Sequence, residues 1–587
     1  MKLFVSVIIA LCLLASASTA AERQSKHWRQ TVRAPANEVL EFRVALRQQN
    51  IDVLENTLYD VSDPSSANYG KHWSVEQILD LVAPANHVSE EIVAFLTQSG
   101  AFNIENHRDF IKAEATVKAI ESIFAVDMYV YAHKIKKNYN IIRASEMYTV
   151  PAQFDSAVHM IAGITELPYT KQRPAPRRQT VTAGATPVDK GYVIPETIQN
   201  VYGIPSGYAN NANSSLCLAE FQNDHAFLPA DLVTFSQFMG IPPFNVSHTV
   251  GRFDTFLPDD ESILDVQYGG ATAQSADLWF WVVDGWMYEF VAEMASTYPA
   301  PLVVSISWGW PEDMTCSLVS CPSNETNADY INRVNVEFMK MGVRGITTVV
   351  ASGDQGAPGD SNNDCLSTKT PMSNTFPGSS PYVLAVGATM LAAAPAASQQ
   401  SDDAIPPFCT DKKCANSTSE IVCSHPEALI TSGGGFSTYA PMPSYQSAQV
   451  AAYLSSGVVL PDSTKFNASN RAFPDVAALG HNYVIYKHGS SLVVDGTSAS
   501  TPVWGGIIAL LNSFRLNAGK SPLGFINPLL YSAPASCFND ITIGNNLCTE
   551  ECCTKADGFY ATAGWDPITG LGTPVFKNLL AYVAALP

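Results

Sequence analysis

The sequence predicts an α/β fold: a mainly parallel sheet flanked by helices, preceded by a smaller α+β unit. Three observations predict it. Beyond residue 190, unbroken apolar runs alternate with stretches of helical periodicity, the pattern of strands buried on both faces. Before residue 170, strand-like and helix-like segments follow one another in mixed order within a short span. Between the two, residues 171–190 are rich in Pro, Arg, Thr, Gly and Ala and contain Arg177-Arg178, the composition of an exposed linker open to proteases.

The elements follow in chain order. Met1-Lys2 leads an apolar run over 3–14 and then the small-residue stretch Ala15-Ser16-Ala17-Ser18-Thr19-Ala20. This pattern predicts a signal peptide over 1–20 that is removed. The run is too short for a permanent membrane helix, and no later stretch is long and uncharged enough for one, so no membrane insertion is expected. Within 21–170, residues 39–46 and 128–133 read as strands. Residues 51–59, 74–81, 89–99 and 113–124 read as helices. Within 191–587, residues 302–307, 345–351 and 382–386 read as buried strands, and 327–341 and 503–516 as helices. There are no internal repeats and no heptads.

Composition narrows the function classes. The chain has 587 residues and a formal net charge of −20, from 54 acidic and 34 basic side chains. Such a surface repels nucleic acid, so no nucleic-acid partner is expected. The same acidity suits work at low pH, where protonation relieves the self-repulsion, and it equally suits plain solubility. Asn213, Asn245, Asn324, Asn416 and Asn467 head glycosylation sequons. Of 12 cysteines, Cys12 leaves with the signal. The cluster Cys548, Cys552, Cys553 and the group Cys409, Cys414, Cys423 suit local disulfides in an oxidising compartment better than zinc.

Chemistry concentrates in three segments. In Asp495-Gly496-Thr497-Ser498-Ala499-Ser500-Thr501-Pro502 a strand over 492–494 meets a tight Gly turn and then a helix. Ser498 therefore stands near a helix N-terminus, where free N–H groups suit an oxyanion, although a Ser there also serves as an ordinary cap. A nucleophilic serine needs a base. His225 and His248 lack the Gly-rich setting of a histidine triad, and His488-Gly489-Ser490 lies on the strand approach directly before Ser498. Glu261 and Asp265 stand four apart, on one helix face, where like charges repel, raise one pKa and titrate as a unit. A solvated acidic helix would show the same spacing. Asp354, in Val349-Val350-Ala351-Ser352-Gly353-Asp354-Gln355-Gly356-Ala357, ends a buried strand on a Gly-flanked turn. When protonated it is a hydrogen-bond donor for an oxyanion; it also suits a simple turn.

Taken in order, Glu-x-x-x-Asp, Ser-Gly-Asp-x-Gly-Ala and Gly-Thr-Ser-Ala-Ser-x-Pro resemble the sedolisins, the serine-carboxyl peptidases. Phe376-Pro377-Gly378-Ser379-Ser380-Pro381, Ser432-Gly433-Gly434-Gly435-Phe436-Ser437 and Ala472-Phe473-Pro474-Asp475-Val476-Ala477-Ala478 extend the likeness. The resemblance runs from about residue 39 to the C-terminus. It implies a subtilisin-like peptidase domain over 191–587, a ferredoxin-like prosegment over 21–170 that inhibits until acidification, and a cut in the 171–190 linker. It implies Ser498 as nucleophile, Glu261 as base, Asp265 as the acid that orients it and Asp354 as the oxyanion-hole acid. It also implies one structural Ca²⁺ held by Asp540, Ile541, Thr562, Gly564 and Asp566, an oxygen-only set such as Ca²⁺ takes. Asp495 departs from the pattern, since the family usually has Ser there, and an acid so near the nucleophile is expected to shift the pH profile. The resemblance implies peptide or unfolded-protein substrates, with tripeptide release from free N-termini or internal cutting as the two modes. A monomer is expected, bound for a lysosome, a vacuole or the exterior. Two other readings compete: a neutral protease using a histidine, and a secreted binding protein on the same scaffold.

Overall fold

The computed structural model describes residues 25, 27–137, 139–168, 192–207, 211–222, 226–253, 255, 258–274, 276–319, 321, 325–359, 372–392, 419–550, 553 and 557–587. The expected signal peptide, the 171–190 linker, Cys365, Cys409, Cys414, Cys552, Asn324, Asn416 and His225 lie outside the described residues.

The first unit is a β-α-β-β-α-β arrangement. Its parts are β1 (Val39–Leu46), α1 (Ile51–Ser62), β2 (Phe102–Asn106), β3 (Phe110–Thr116), α2 (Val117–Phe124) and β4 (Val158–Ala162). The strands pair antiparallel in the order β2-β3-β1-β4, which is the ferredoxin-like order. The helix expected over 113–124 begins only at Val117. Residues 110–116 alternate buried and half-buried, and β3 is sandwiched between β1 and β2, so strand pairing overrides the helix propensity of Lys112, Ala113, Glu114 and Ala115.

The second unit is built on an eight-stranded sheet. Its strands are β5 (Ser215–Phe221), β6 (His248–Val250), β7 (Asp277–Val283), β8 (Val303–Ile306), β9 (Thr347–Ala351), β10 (Leu384–Leu391), β11 (Glu420–Val422) and β12 (Val476–Leu479). The path runs β11-β10-β9-β8-β5-β7-β6, with β12 also on β10, and only β11 is antiparallel. Successive side chains point to opposite faces, so each apolar strand feeds two cores. Leu216, Leu218, Phe280 and Val303 pack against α3 (Asp260–Ala273) and α6 (Thr497–Asn517). Cys217, Ala219, Trp281 and Val304 pack against α4 (Met287–Ser296) and α5 (Asn327–Val343). This is the subtilisin-like fold that the resemblance implies. The strand leading to Ser498, β14 (Ser490–Val494), is not part of that sheet. It forms a hairpin with β13 (Tyr483–Lys487).

The first unit docks on α4 and α5. Ala45, Phe110, Met160 and Ala162 join their apolar core. A buried charge cluster crosses the seam. Asp109 meets Lys340 Nζ at 2.6 Å, and Lys340 meets Glu337 at 2.6 Å, all three side chains at or below 1 % exposure. Beside it, Arg43 meets Glu289 at 3.5 Å and Glu293 more closely, with Lys112 3.0 Å from Glu293.

Burial opposes charge on Asp109, but Lys340 and Arg333 outweigh it and hold the carboxyl below its ordinary value. A depressed carboxyl stabilises the docked state above about pH 4, and that contribution is lost as pH falls through the depressed value. Asp109→Ala leaves Lys340 buried against Glu337 alone. It is expected to weaken docking at pH 7 by about 3–5 kcal/mol, seen as faster limited proteolysis and hydrogen exchange in β2 and β3.

Candidate active site

Two separate segments converge on Ser307, just beyond the carboxyl end of β8. Ser307 Oγ donates to both oxygens of Asp265, at 3.0 and 2.7 Å. Ser498 Oγ donates to the Ser307 carbonyl at 3.4 Å. The local sequence explains the fit. Pro502 has no N–H, so the Ser498 carbonyl four residues earlier lacks its helical partner. Ser307 Oγ lies 3.4 Å from that carbonyl. Ser498 is half-buried while Thr497 and Ala499 on either side are buried, so the hydroxyl is the part of this turn that a solute can reach.

Asp354 reaches the same turn from β9. Its Oδ1 accepts the Thr497 N–H at 2.8 Å and the Thr497 hydroxyl at 2.7 Å. It thereby caps a helix whose own N-cap, Gly496, has no side chain to do so. Gly353, at φ 108°, allows the chain to turn here, and a side chain there would strike Thr375.

Glu261 and Asp265 lie on the first turns of α3, at 4 % and 0 % exposure. The helix is capped by Asp259, whose carboxylate accepts from Ser262 N at 2.7 Å and Ser262 Oγ at 2.9 Å. So the two acids are buried, not displayed on a solvated face. A further carboxyl, Glu220, faces them from the carboxyl end of β5. It is fully buried and accepts the Trp308 indole N–H at 2.9 Å. Burial, then the charges of Asp265, Asp259 and Glu261, push Glu220 well above the usual range. Sequence reasoning missed Glu220, Ser307 and Trp308. A lone Glu ending the apolar run Leu216–Phe221 was the available signal.

The histidines are placed elsewhere. His248 stacks on Trp279 at a ring distance of 4.1 Å and meets Asp277 at 3.1 Å on the sheet edge. His488 turns the β13–β14 hairpin and donates its N–H to Asp231. Asp495 faces away from Ser498 and binds His481 at 2.9 Å.

The expected metal residues gather in the C-terminal loops. Asp540 accepts the Gly564 N–H at 2.8 Å. Asp566, fully buried, accepts from the N–H groups of Thr562, Ile568 and Thr569. Two carboxylates thus meet one loop, Asp540 at the Gly564 N–H and Asp566 at the Thr562 N–H. Burial raises Asp566 to about 8 against weaker opposition from its neutral hydrogen-bond donors. The partners of the two carboxylates are N–H groups and the Thr569 hydroxyl, which a hard cation would have to share or replace. Of the disulfides among the described residues, Cys548–Cys553 matches the expected local cluster, and Cys316–Cys321 was not anticipated. Cys423, expected in a disulfide, is a buried free thiol, packed between β10 and the loop that follows β11.

Comparison with known proteins agrees with this geometry. Residues 26–167 match the activation domain of the pro-kumamolisin family, and residues 285–523 match the subtilase family. The chain is 50 % identical over 584 residues to physarolisin of Physarum polycephalum, covering 99 % of this chain and 100 % of that one. It is 33 % identical to tripeptidyl-peptidase 1 of Canis lupus familiaris over 600 residues, covering 98 % and 97 % of the two chains. Against the Homo sapiens protein of that name it is 33 % identical over 574 residues, covering 94 % and 93 %. Fold and matches together define a subtilase-type serine peptidase with an activation prodomain. Within that class the chain belongs to the sedolisin family, the serine-carboxyl peptidases.

A carboxyl raised in the folded state binds more protons than in the unfolded chain, so stability falls as pH rises above its ordinary value. Glu220 is therefore expected to make the protein less stable as pH rises from the ordinary carboxyl range into the neutral range, and Glu220→Gln to flatten that slope. Thermal unfolding across this range, for wild type and variant, measures it.

Proposed function

We propose that this chain is an acid-active serine-carboxyl peptidase, made as a proenzyme, that uses Ser498, Glu261, Asp265 and Asp354. The observation that carries the reading is the junction at Ser307, which ties the serine to a buried carboxyl on α3 while Asp354 grips the adjoining Thr497. Ser498 Oγ forms a bond to the substrate carbonyl carbon and passes its proton to Glu261. Asp265, held by Ser307, steadies the charge on Glu261. Protonated Asp354 donates to the oxyanion. The C–N bond then breaks as Glu261 returns the proton to the leaving amine, and water releases the acyl group by the same steps in reverse order. Protonated Asp354 and ionised Glu261 coexist only in acid, which sets the working range.

Until then the prosegment sits on α4 and α5 and inhibits. Its expected release by a cut within 171–190 yields the mature enzyme, in a lysosome, a vacuole or the exterior. For the mode of cutting, 33 % identity to tripeptidyl-peptidase 1 along nearly the whole chain supports release of tripeptides from free N-termini. One Ca²⁺ held by Asp540 and Asp566 with the carbonyls of Ile541, Thr562 and Gly564 is proposed to fasten the C-terminal loops.

On acidification to about pH 4, the wild-type precursor is expected to shorten and to hydrolyse peptides, while Ser498→Ala stays long and loses at least about 10³-fold in rate. Equal activity in both, or an optimum at neutral pH, overturns the mechanism. Successive tripeptides from an unblocked peptide support the exopeptidase mode. Internal cuts in its N-acetylated form overturn that mode and leave an endopeptidase.

Saturating Ca²⁺ is expected to stabilise the enzyme by about 3 kcal/mol at a hundred times Kd. The gain should be larger at pH 7 than in acid, where protons compete for Asp566, and absent in Asp566→Asn. Thermal unfolding with Ca²⁺ or EGTA checks it.

A further inference from the structure

Asp495 stands three residues before the nucleophile, yet its carboxylate points into a different part of the fold. Oδ1 accepts the Asn482 N–H at 2.8 Å. Oδ2 accepts the Leu429 N–H at 2.8 Å and meets His481 Nδ1 at 2.9 Å. One buried side chain thus joins three segments: the nucleophile turn, the turn before β13, and the loop over 424–431.

That third segment is the one that supports Asp354's backbone. Two residues beyond Leu429, the Thr431 N–H donates to the Asp354 carbonyl at 2.9 Å, and Thr431 pairs with Gln355 as a β-bridge. The Gly433 N–H then donates to the Gly353 carbonyl at 2.7 Å. On the other side, Asp354 holds Thr497, two residues beyond Asp495. The contacts close a ring: Asp495 to Leu429, along the chain to Thr431, across to Asp354, across to Thr497, and back along the chain. Gly480 lets the turn beside β13 lie against this ring. Its carbonyl takes the Gly496 N–H at 2.8 Å, and an added side chain would meet the Gly496 carbonyl at 2.7 Å.

We propose that Asp495 is a positioning residue, which sets Asp354 relative to Ser498 by buckling the 424–431 loop, which supports the Asp354 backbone, to the nucleophile turn. The proposal rests on the reading of Ser498 and Asp354 given above. Neither the Asp495 carboxylate nor His481 touches substrate; each acts through Leu429 and Thr431. The ionisable groups that face the pair are few. Among the described residues, the buried Cys423 thiol feels the charges of both Asp495 and Asp354, and Glu427 feels that of His481. Burial opposes charge on Asp495, while His481 and the two N–H donors outweigh it and hold the carboxyl below its ordinary value. The buckle therefore stays ionised in the acid range in which the enzyme is proposed to work, and loosens only as pH falls through that depressed value.

The test uses the acidified full-length precursor, with rates referred to the amount of shortened chain. Asp495→Ser removes every arm of the buckle with little added bulk. It is expected to lower kcat about ten- to a hundredfold, part of the cost of losing an oxyanion donor, with KM within about twofold. Asp495→Asn keeps an acceptor but not the charge. Its deficit should be largest above about pH 4 and shrink as pH falls through the depressed value at which the wild-type buckle protonates. The double variant Asp354→Asn with Asp495→Ser should be no slower than Asp354→Asn alone, since both act on one group. The proposal is overturned if Asp495→Ser keeps kcat within twofold, if its loss lies wholly in KM, or if the two losses multiply. Should Asp495→Ser not fold, Asp495→Asn and His481→Gln carry the same kcat and pH readouts. A Ser498→Ala variant that keeps activity overturns the underlying reading, and this proposal with it.

Discussion

Carboxyl groups gathered out of water are the constraint on which this structure turns. Glu220, Glu261 and Asp265 share one buried corner at the carboxyl ends of β5 and β8. Charges so placed cannot all be ionised, because each loses its hydration and repels the others. Burial and the neighbouring acids raise Glu220 well above the usual carboxyl range, so it holds a proton most readily where its neighbours are ionised. The neutral donors in this corner, Ser307 and Trp308, satisfy oxygens without adding charge. A histidine or lysine in that corner would favour the ionised acids and undo the rise at Glu220.

Rigid elements aim the corner at the serine. Asp265 is a helix residue, Ser307 follows a central strand, and Ser498 opens the longest helix among the described residues. None of the three relies on a long loop for its position. Pro502 contributes by what it lacks, an N–H, which leaves the Ser498 carbonyl open to the Ser307 side chain. Asp354 serves the fold as a helix cap and is placed by that service one residue from Ser498, at Thr497. Structural and chemical demands on these residues thus coincide.

Much of this was legible in the sequence, for identifiable reasons. Buried parallel strands show as unbroken apolar runs, so the strands ending near Ile306 and Ala351 were found within a residue or two. Glu261 and Asp265 were found because helical spacing writes proximity into the chain. Ser307 was not, since it meets Asp265 across 42 positions and Ser498 across 191, and no local pattern records such meetings. Glu220 was hidden by its neighbours, a single charge at the end of an apolar strand. The misjudged helix start at residue 113 shows the converse, local propensity yielding to a strand pair on each side. Cys423 was grouped with Cys409 and Cys414 by spacing alone, but it packs as a small apolar residue inside the fold.

The seam between the two units has a thermodynamic direction. Its cations are contributed by both partners, Arg43 and Lys112 from the first unit and Lys340 from the second, but the acids that answer Arg43 across the seam, Glu289 and Glu293, belong to the second. When the first unit departs, those acids face water, where a proton satisfies them as well as a guanidinium does. Re-docking would have to expel the protons and dehydrate the arginine again. Burial opposes charge on Glu293, but Arg43 and Lys112 outweigh it and hold it below its ordinary value, so docking is favoured above the carboxyl range and weakens as pH falls through that value.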